Sequence, residues 1–143
     1  MANLNLKYYQ KEATKTSLAD AEPYMVTKML MGGVVESLVM AKGAVERGDY
    51  QERARTISKA SNIIEALRSS IDFEAGGEVC QNLYALYQYM LERLADASMA
   101  KDTVAIEEVH TLFKEIKAGW DAIPVEARQE AEAQRKVNQS AAV

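Results

Sequence analysis

Between Pro23 and Pro124, the two prolines of the chain, hydrophobic residues return at intervals of three and four, the spacing of one helix face. The first run opens at Pro23, suited to a first helical position, and closes at Arg47, before Gly48, which supplies a left-handed stop. Its expected core stripe is Val26, Leu30, Val34, Ala41 and Val45. Met29, Gly33 and Met40 flank that stripe on one side and Met31, Val35 and Leu38 on the other. Only a strip around Lys28, Lys42 and Glu46 stays polar, so the apolar arc exceeds the roughly 100° that a surface helix needs.

The second helix is predicted to open on a capping box, Asp49 with Glu52, and to carry Ile57, Ala60, Ile64, Leu67 and Ile71 as a bundle seam. The period fails from Phe73 to Gly77, where Gly76 and Gly77 make a turn. A third helix follows and ends near Ala100. Val79, Leu83, Leu86 and Met90, extended by Leu94 and Ala97, form its expected core face. Cys80, Tyr84, Tyr87 and Leu91 repeat the same spacing about a third of a turn away. One neighbour cannot cover both stripes. The tyrosine-bearing face packs on another helix of the chain, on a partner, or on a detachable piece of the protein. Asp102 caps a fourth helix with one stripe, Ala105, Val109, Leu112, Ile116 and Trp120, and with Ile106 and Phe113 at its edge.

The connections are a few residues long, so successive helices run antiparallel. The expected fold is all-α, an antiparallel up-down-up-down four-helix bundle spanning 21–123. Before it lies a short N-terminal arm and linker, 1–20. After it comes a charged C-terminal tail, 124–143, a frayed helix or disordered because it offers little to bury. Docking Leu6, Tyr8 and Tyr9 of the arm would gain roughly 1.5–3 kcal/mol each. Ordering the segment costs on the order of 1–2 kcal/mol per residue. The two nearly cancel, which describes an arm that attaches to apolar surface and is readily displaced.

Composition narrows the functional classes. A net charge of −4 over 143 residues, with Lys and Arg interleaved among Asp and Glu, gives no broad positive field for nucleic acid or an anionic membrane. The single cysteine, Cys80, makes no internal disulfide and fits a reducing compartment, the cytoplasm being the simplest. No secretory leader is expected in Met1–Ser17, nor any run approaching the ~20 apolar residues of a membrane span.

Catalytic motifs are sparse. Glu107 and His110 have the Glu-x-x-His spacing of di-iron bundles, but His110 is the only histidine and falls outside the apolar stripe, beside Lys114 and Lys117. His110, Leu112 and Lys114 also loosely match histidine phosphotransfer bundles, an alternative signalling function, although the glycine expected beyond the lysine is missing. Gly32-Gly33 lies mid-helix, and Gly76-Gly77 lacks a following Lys-Ser or Lys-Thr, so no nucleotide loop is implied. No metal or other cofactor is expected, and the chain is not expected to be an enzyme.

From Leu6 to Trp120 the chain resembles the FliS family, the flagellin-specific export chaperones of bacteria. Leu6-Lys7-Tyr8-Tyr9, Met29-Leu30 with Gly33, and Arg47-Gly48-Asp49 carry the resemblance. So does an ordered block running from Lys59-Ala60 through Asn62-Ile63-Ile64, Leu67-Arg68, Gly76-Gly77-Glu78, Asn82-Leu83 and Leu86-Tyr87 to Arg93-Leu94 and Ala97. Asp102, Glu107-Glu108-Val109 and Trp120 complete it. Glu22 stands where that family commonly has a serine, and Met31-Gly32 where an aromatic and an acidic residue are usual. The resemblance implies a cytoplasmic bundle that binds the disordered C-terminal segment of flagellin in an apolar groove, keeps it unpolymerised and presents it to export apparatus components. It implies too that the arm caps an apolar patch until the client arrives. The candidate partner-binding residues are Leu6, Tyr8 and Tyr9 in the arm and Met29, Met31, Ile64, Tyr84, Tyr87 and Leu91 in the groove. A weak homodimer through the same wide faces is a further expectation.

Overall fold

The computed structural model describes residues 22–99 and 103–141. Among them every regular element is helical. They are α1 (Pro23–Arg47), α2 (Tyr50–Ser69), α3 (Phe73–Met99), α4 (Thr103–Asp121) and α5 (Val125–Ala141). The arm residues Leu6, Tyr8 and Tyr9 lie outside the described residues. The fold is a helical bundle, as the periodicity predicts, and the tail forms the helix α5, none of whose residues is buried.

Local chemistry sets the boundaries. The Glu22 carbonyl accepts from the Met25 amide at 3.0 Å, placing Pro23 where its missing N–H costs nothing. At the far end of α1, Gly48 adopts φ +71°. Its amide reaches the Val45 carbonyl (3.1 Å) while the Asp49 amide reaches that of Ala44 (2.9 Å), the paired closure of a Schellman motif. The Asp49 carboxylate then accepts from the Glu52 amide at 3.1 Å and starts α2. Only this half of the expected capping box forms, because the Glu52 carboxylate is taken by Arg55, with Nε to Oε2 at 2.9 Å.

The start of α3 is a single turn closed by the Asp72 carboxylate, which accepts from the amides of Glu74 (3.0 Å) and Ala75 (3.3 Å). The helix then breaks at Gly77 (φ 55°, ψ −128°), a conformation available only to glycine, and resumes. At Gly76, any Cβ would stand 2.0 Å from Cys80 Sγ, whose thiol points back to the Asp72 carbonyl at 3.3 Å.

The chain divides into two compact units, residues 30–119 and residues 22–29 with 120–141. The core of the first comprises Met31, Val34, Leu38, Ala41 and Ala44 from α1, and Ile57, Ala60, Ile64 and Leu67 from α2. Tyr87, Met90, Leu94 and Ala97 join from α3, with Ala105, Ile106, Val109 and Phe113 from α4. Tyr87 and Phe113 meet at 6.4 Å between ring centroids. Helices α1 and α2 approach closely at Gly33, where a Cβ would stand 3.1 Å from Ile63 Cδ1. The buried Thr56 hydroxyl donates to the Glu52 carbonyl at 2.8 Å, so its polar atom is satisfied inside the helix.

Helix phase departs from the expected stripes. In α1 the core rotates onto Met31, Leu38 and Ala44, leaving Val26, Leu30 and Val45 half-buried. In α3 the core keeps Met90, Leu94 and Ala97 of the first expected stripe and takes Tyr87 from the second, while Val79, two residues after the break at Gly77, is 74% exposed. In α4, Ile106 and Phe113 are central, not peripheral. By length and composition alone α1 also meets the description of a membrane span, contrary to the sequence expectation. Of the 18-residue apolar window that meets it, 33% is buried.

In the second unit, Tyr24 is buried and stacked on Trp120, with centroids 5.5 Å apart and planes at 11°. The Trp120 indole N–H donates to the Tyr24 carbonyl at 3.1 Å, and the Tyr24 hydroxyl to that of Asp121 at 3.4 Å. Arg128 of α5 lies over the Tyr24 ring at 4.3 Å, which seats α5 without burying any of its side chains.

Candidate partner-binding surfaces

The groove candidates separate by burial. Within residues 30–119, Met31, Ile64 and Tyr87 are interior side chains, 2%, 0% and 2% exposed. In this closed arrangement they serve as core, because the α1 and α3 stripes turned inward by part of a turn. Tyr84 and Leu91 are half-buried on α3 and reach solvent. Met29 is exposed and belongs to the other compact unit.

Tyr84 is the best-defined accessible aromatic. Phe73 tilts against its ring at 5.4 Å and 54°, and the Arg68 guanidinium stands 5.4 Å from the same ring centroid. Phe73 is itself exposed, as is Val79 further along α3. The Asp72 cap and the Gly77 break together hold the single turn that carries Phe73. Sequence periodicity missed Phe73, which falls in the turn, and assigned Val79 to the core. The signal for Phe73 was Gly77, whose positive φ ends the turn that carries Phe73.

The polar candidates are engaged structurally. Glu107, of the Glu-x-x-His pair, is held by Lys42 Nζ at 2.6 Å, and among the described residues no group of three or more His, Cys, Asp and Glu is placed to hold a metal ion. Burial, with Lys114 and Lys42 nearby, holds the His110 imidazole below its ordinary pKa. Tyr89 donates its hydroxyl to Glu108, which Arg93 Nε also reaches at 3.1 Å. These bonds, the one from Tyr89 foremost, keep the Glu108 carboxyl below the usual carboxylate range. Such an exposed network links α3 to α4 and contributes modestly.

Fold and surface thus define a helical bundle whose accessible features are apolar patches and structural ion pairs. The sequence family described as Flagellar protein FliS matches residues 5–127, and the chain belongs to that family. Similar proteins include the flagellar secretion chaperone FliSB of Pseudomonas aeruginosa, 42% identical over 118 residues covering 82% of this chain and 94% of that one. The flagellar secretion chaperones FliS of Salmonella typhimurium (37% identical, 85% and 91% covered) and of Vibrio cholerae (34%, 85% and 90%) are similar over nearly the same range. These relatives are named as chaperones and not as enzymes, which sets aside the phosphotransfer reading of His110.

Proposed function

We propose that this chain is a cytoplasmic flagellar export chaperone that holds the disordered C-terminal region of flagellin on apolar helix surface, keeps it from polymerising and delivers it to the flagellar type III export apparatus. The observation that carries this reading is the accessible apolar surface of α3, with Phe73, Val79 and Tyr84 outside a core already complete beneath them. Family membership gives that surface its client.

The mode is helix-in-groove, in which the client contributes amphipathic helices and the chaperone a preformed apolar strip. Tyr84 and Leu91 are contact residues in the closed form. Met31, Ile64 and Tyr87 become contacts only where client binding opens the bundle, and Met29 is a separate candidate contact. The arm residues Leu6, Tyr8 and Tyr9 cover apolar surface in the free chain and leave it on binding. Ordering a disordered client has a large entropic cost, so the complex must bury a large apolar area and show a negative heat-capacity change. Calorimetric titration of a flagellin C-terminal peptide over a range of temperatures tests this: saturable binding with that sign supports the reading, and absence of binding overturns it.

A further inference from the structure

The unit formed by residues 22–29 and 120–141 contains two clefts that meet at Glu22, Arg128 and Glu132. The first, of about 220 Å³, is walled by Pro23, the stacked Tyr24 and Trp120, and Ile123, and on the α5 side by Ala127 and Ala131 with Arg128, Glu132 and Arg135 beside them. An apolar cavity of about 150 Å³ already accommodates benzene, so this one has room for a leucine- or phenylalanine-sized side chain. The second, of about 530 Å³, is polar and adds Gln129 and Lys136.

Arg128 stands where the two join. Its guanidinium covers Tyr24, and its Nε–H is buried with no acceptor among the described residues. A buried donor without a partner is costly to leave so and marks a place for an incoming acceptor. The ionisable residues lining the two clefts are Glu22, Glu132, Arg128, Arg135 and Lys136. Glu132 is paired with Arg135 at 2.5 Å. Two carboxylates against three cations leave a local excess of one positive charge on a chain whose net charge is −4. Arg128, Glu132 and Lys136 fall beyond residue 127, where the family match ends.

We propose that the joined clefts are a second binding site, for a peptide segment of a partner protein that presents a bulky apolar side chain next to a carboxylate. The apolar group enters between Trp120 and the alanines of α5, and the carboxylate accepts from Arg128 Nε within reach of Lys136. The site shares no residue with the α3 surface.

The full chain, isotope-labelled, offers two native reporters by NMR, the indole N–H of its only tryptophan, Trp120, and the Arg128 Nε–H. Three capped tetrapeptides serve as probes, acetyl-Gly-Leu-Glu-Gly-amide and its Ala-Glu and Leu-Gln counterparts. Saturable shifts of both reporters by the Leu-Glu peptide are expected, with at least about tenfold weaker binding of the other two, as loss of one good contact implies. Lys136→Gln should weaken the two glutamate-bearing peptides, leaving Leu-Gln unaffected, and Ala131→Leu should block all three while the chain stays folded. Unmoved reporters, or equal responses to the three peptides, would overturn the proposal.

Discussion

Tyr87 of α3 and Phe113 of α4 lie with ring centroids 6.4 Å apart and planes at 31°, both out of contact with water. The pair joins the two helices at the centre of the 30–119 unit. Tyr87→Ala should therefore cost about 3–5 kcal/mol, the range for deleting a buried aromatic, measured by urea denaturation followed by circular dichroism. A cost under about 1 kcal/mol would mean that Tyr87 is not core.

The same tyrosine reports on alkaline stability. Burial pushes its phenol up to about 12 from an ordinary 10.0. Because the folded value is the higher one, its contribution is complete below pH 10 and is lost as pH rises toward 12. Ultraviolet titration should show one phenol ionising about two units late, and Tyr87→Phe should remove it.

Glu108 works in the opposite direction. Its folded pKa is lowered, so its stabilising share is present above the ordinary 4.5 and disappears as pH falls through the folded value. Glu108→Gln should flatten this part of the acid limb of a stability-against-pH curve. An unchanged limb would show that the Tyr89 and Arg93 bonds are not formed in solution.

The cap of α2 is a single contact. Asp49→Ala removes the acceptor of the Glu52 amide and should destabilise by about 0.5–2 kcal/mol, whereas Asp49→Asn, which keeps an acceptor oxygen, should retain most of the stability. A thermal melt of the three proteins decides it.

Gly76 and Cys80 are coupled. A Cβ at residue 76 collides with the thiol and drives it from the Asp72 carbonyl. Gly76→Ala should thus raise the rate at which Cys80 reacts with a disulfide reagent, and Gly76→Ala with Cys80→Ala should be closer to the parent in stability than Gly76→Ala alone.

On the client-binding surface, Tyr84→Ala should weaken the flagellin peptide about tenfold, equal to 1.4 kcal/mol, while helicity is retained. Intact affinity would move the client off α3.

Element boundaries were legible because they rest on local rules. Pro23, the Gly48-Asp49 pair and Pro124 each act on their own few residues, and the structure places helix ends at all of them. Phase was not legible where the apolar arc is wide. On α1 either Val26-Leu30 or Met31-Leu38 could face inward on periodicity alone, and only packing against α2, with its close approach at Gly33, selects the second. The same degeneracy hides the difference between core and groove, since Tyr84 and Tyr87 carry identical chemistry three residues apart and end with different exposure. Tyr24 escaped notice for another reason. Its partners Trp120, Asp121 and Arg128 come from beyond residue 119, and no local spacing announces contacts of that range.

The Tyr24 and Trp120 hydrogen bond spans 96 positions, and that separation sets an order on biosynthesis. While the polypeptide is still emerging from the ribosome, residues 30–119 hold among themselves everything their own unit requires, but residues 22–29 have no counterpart until 120–141 are translated. Residues 22–29 are thus made before residues 30–119 and completed after them, and until then Tyr24 stays an unpaired aromatic on the nascent chaperone.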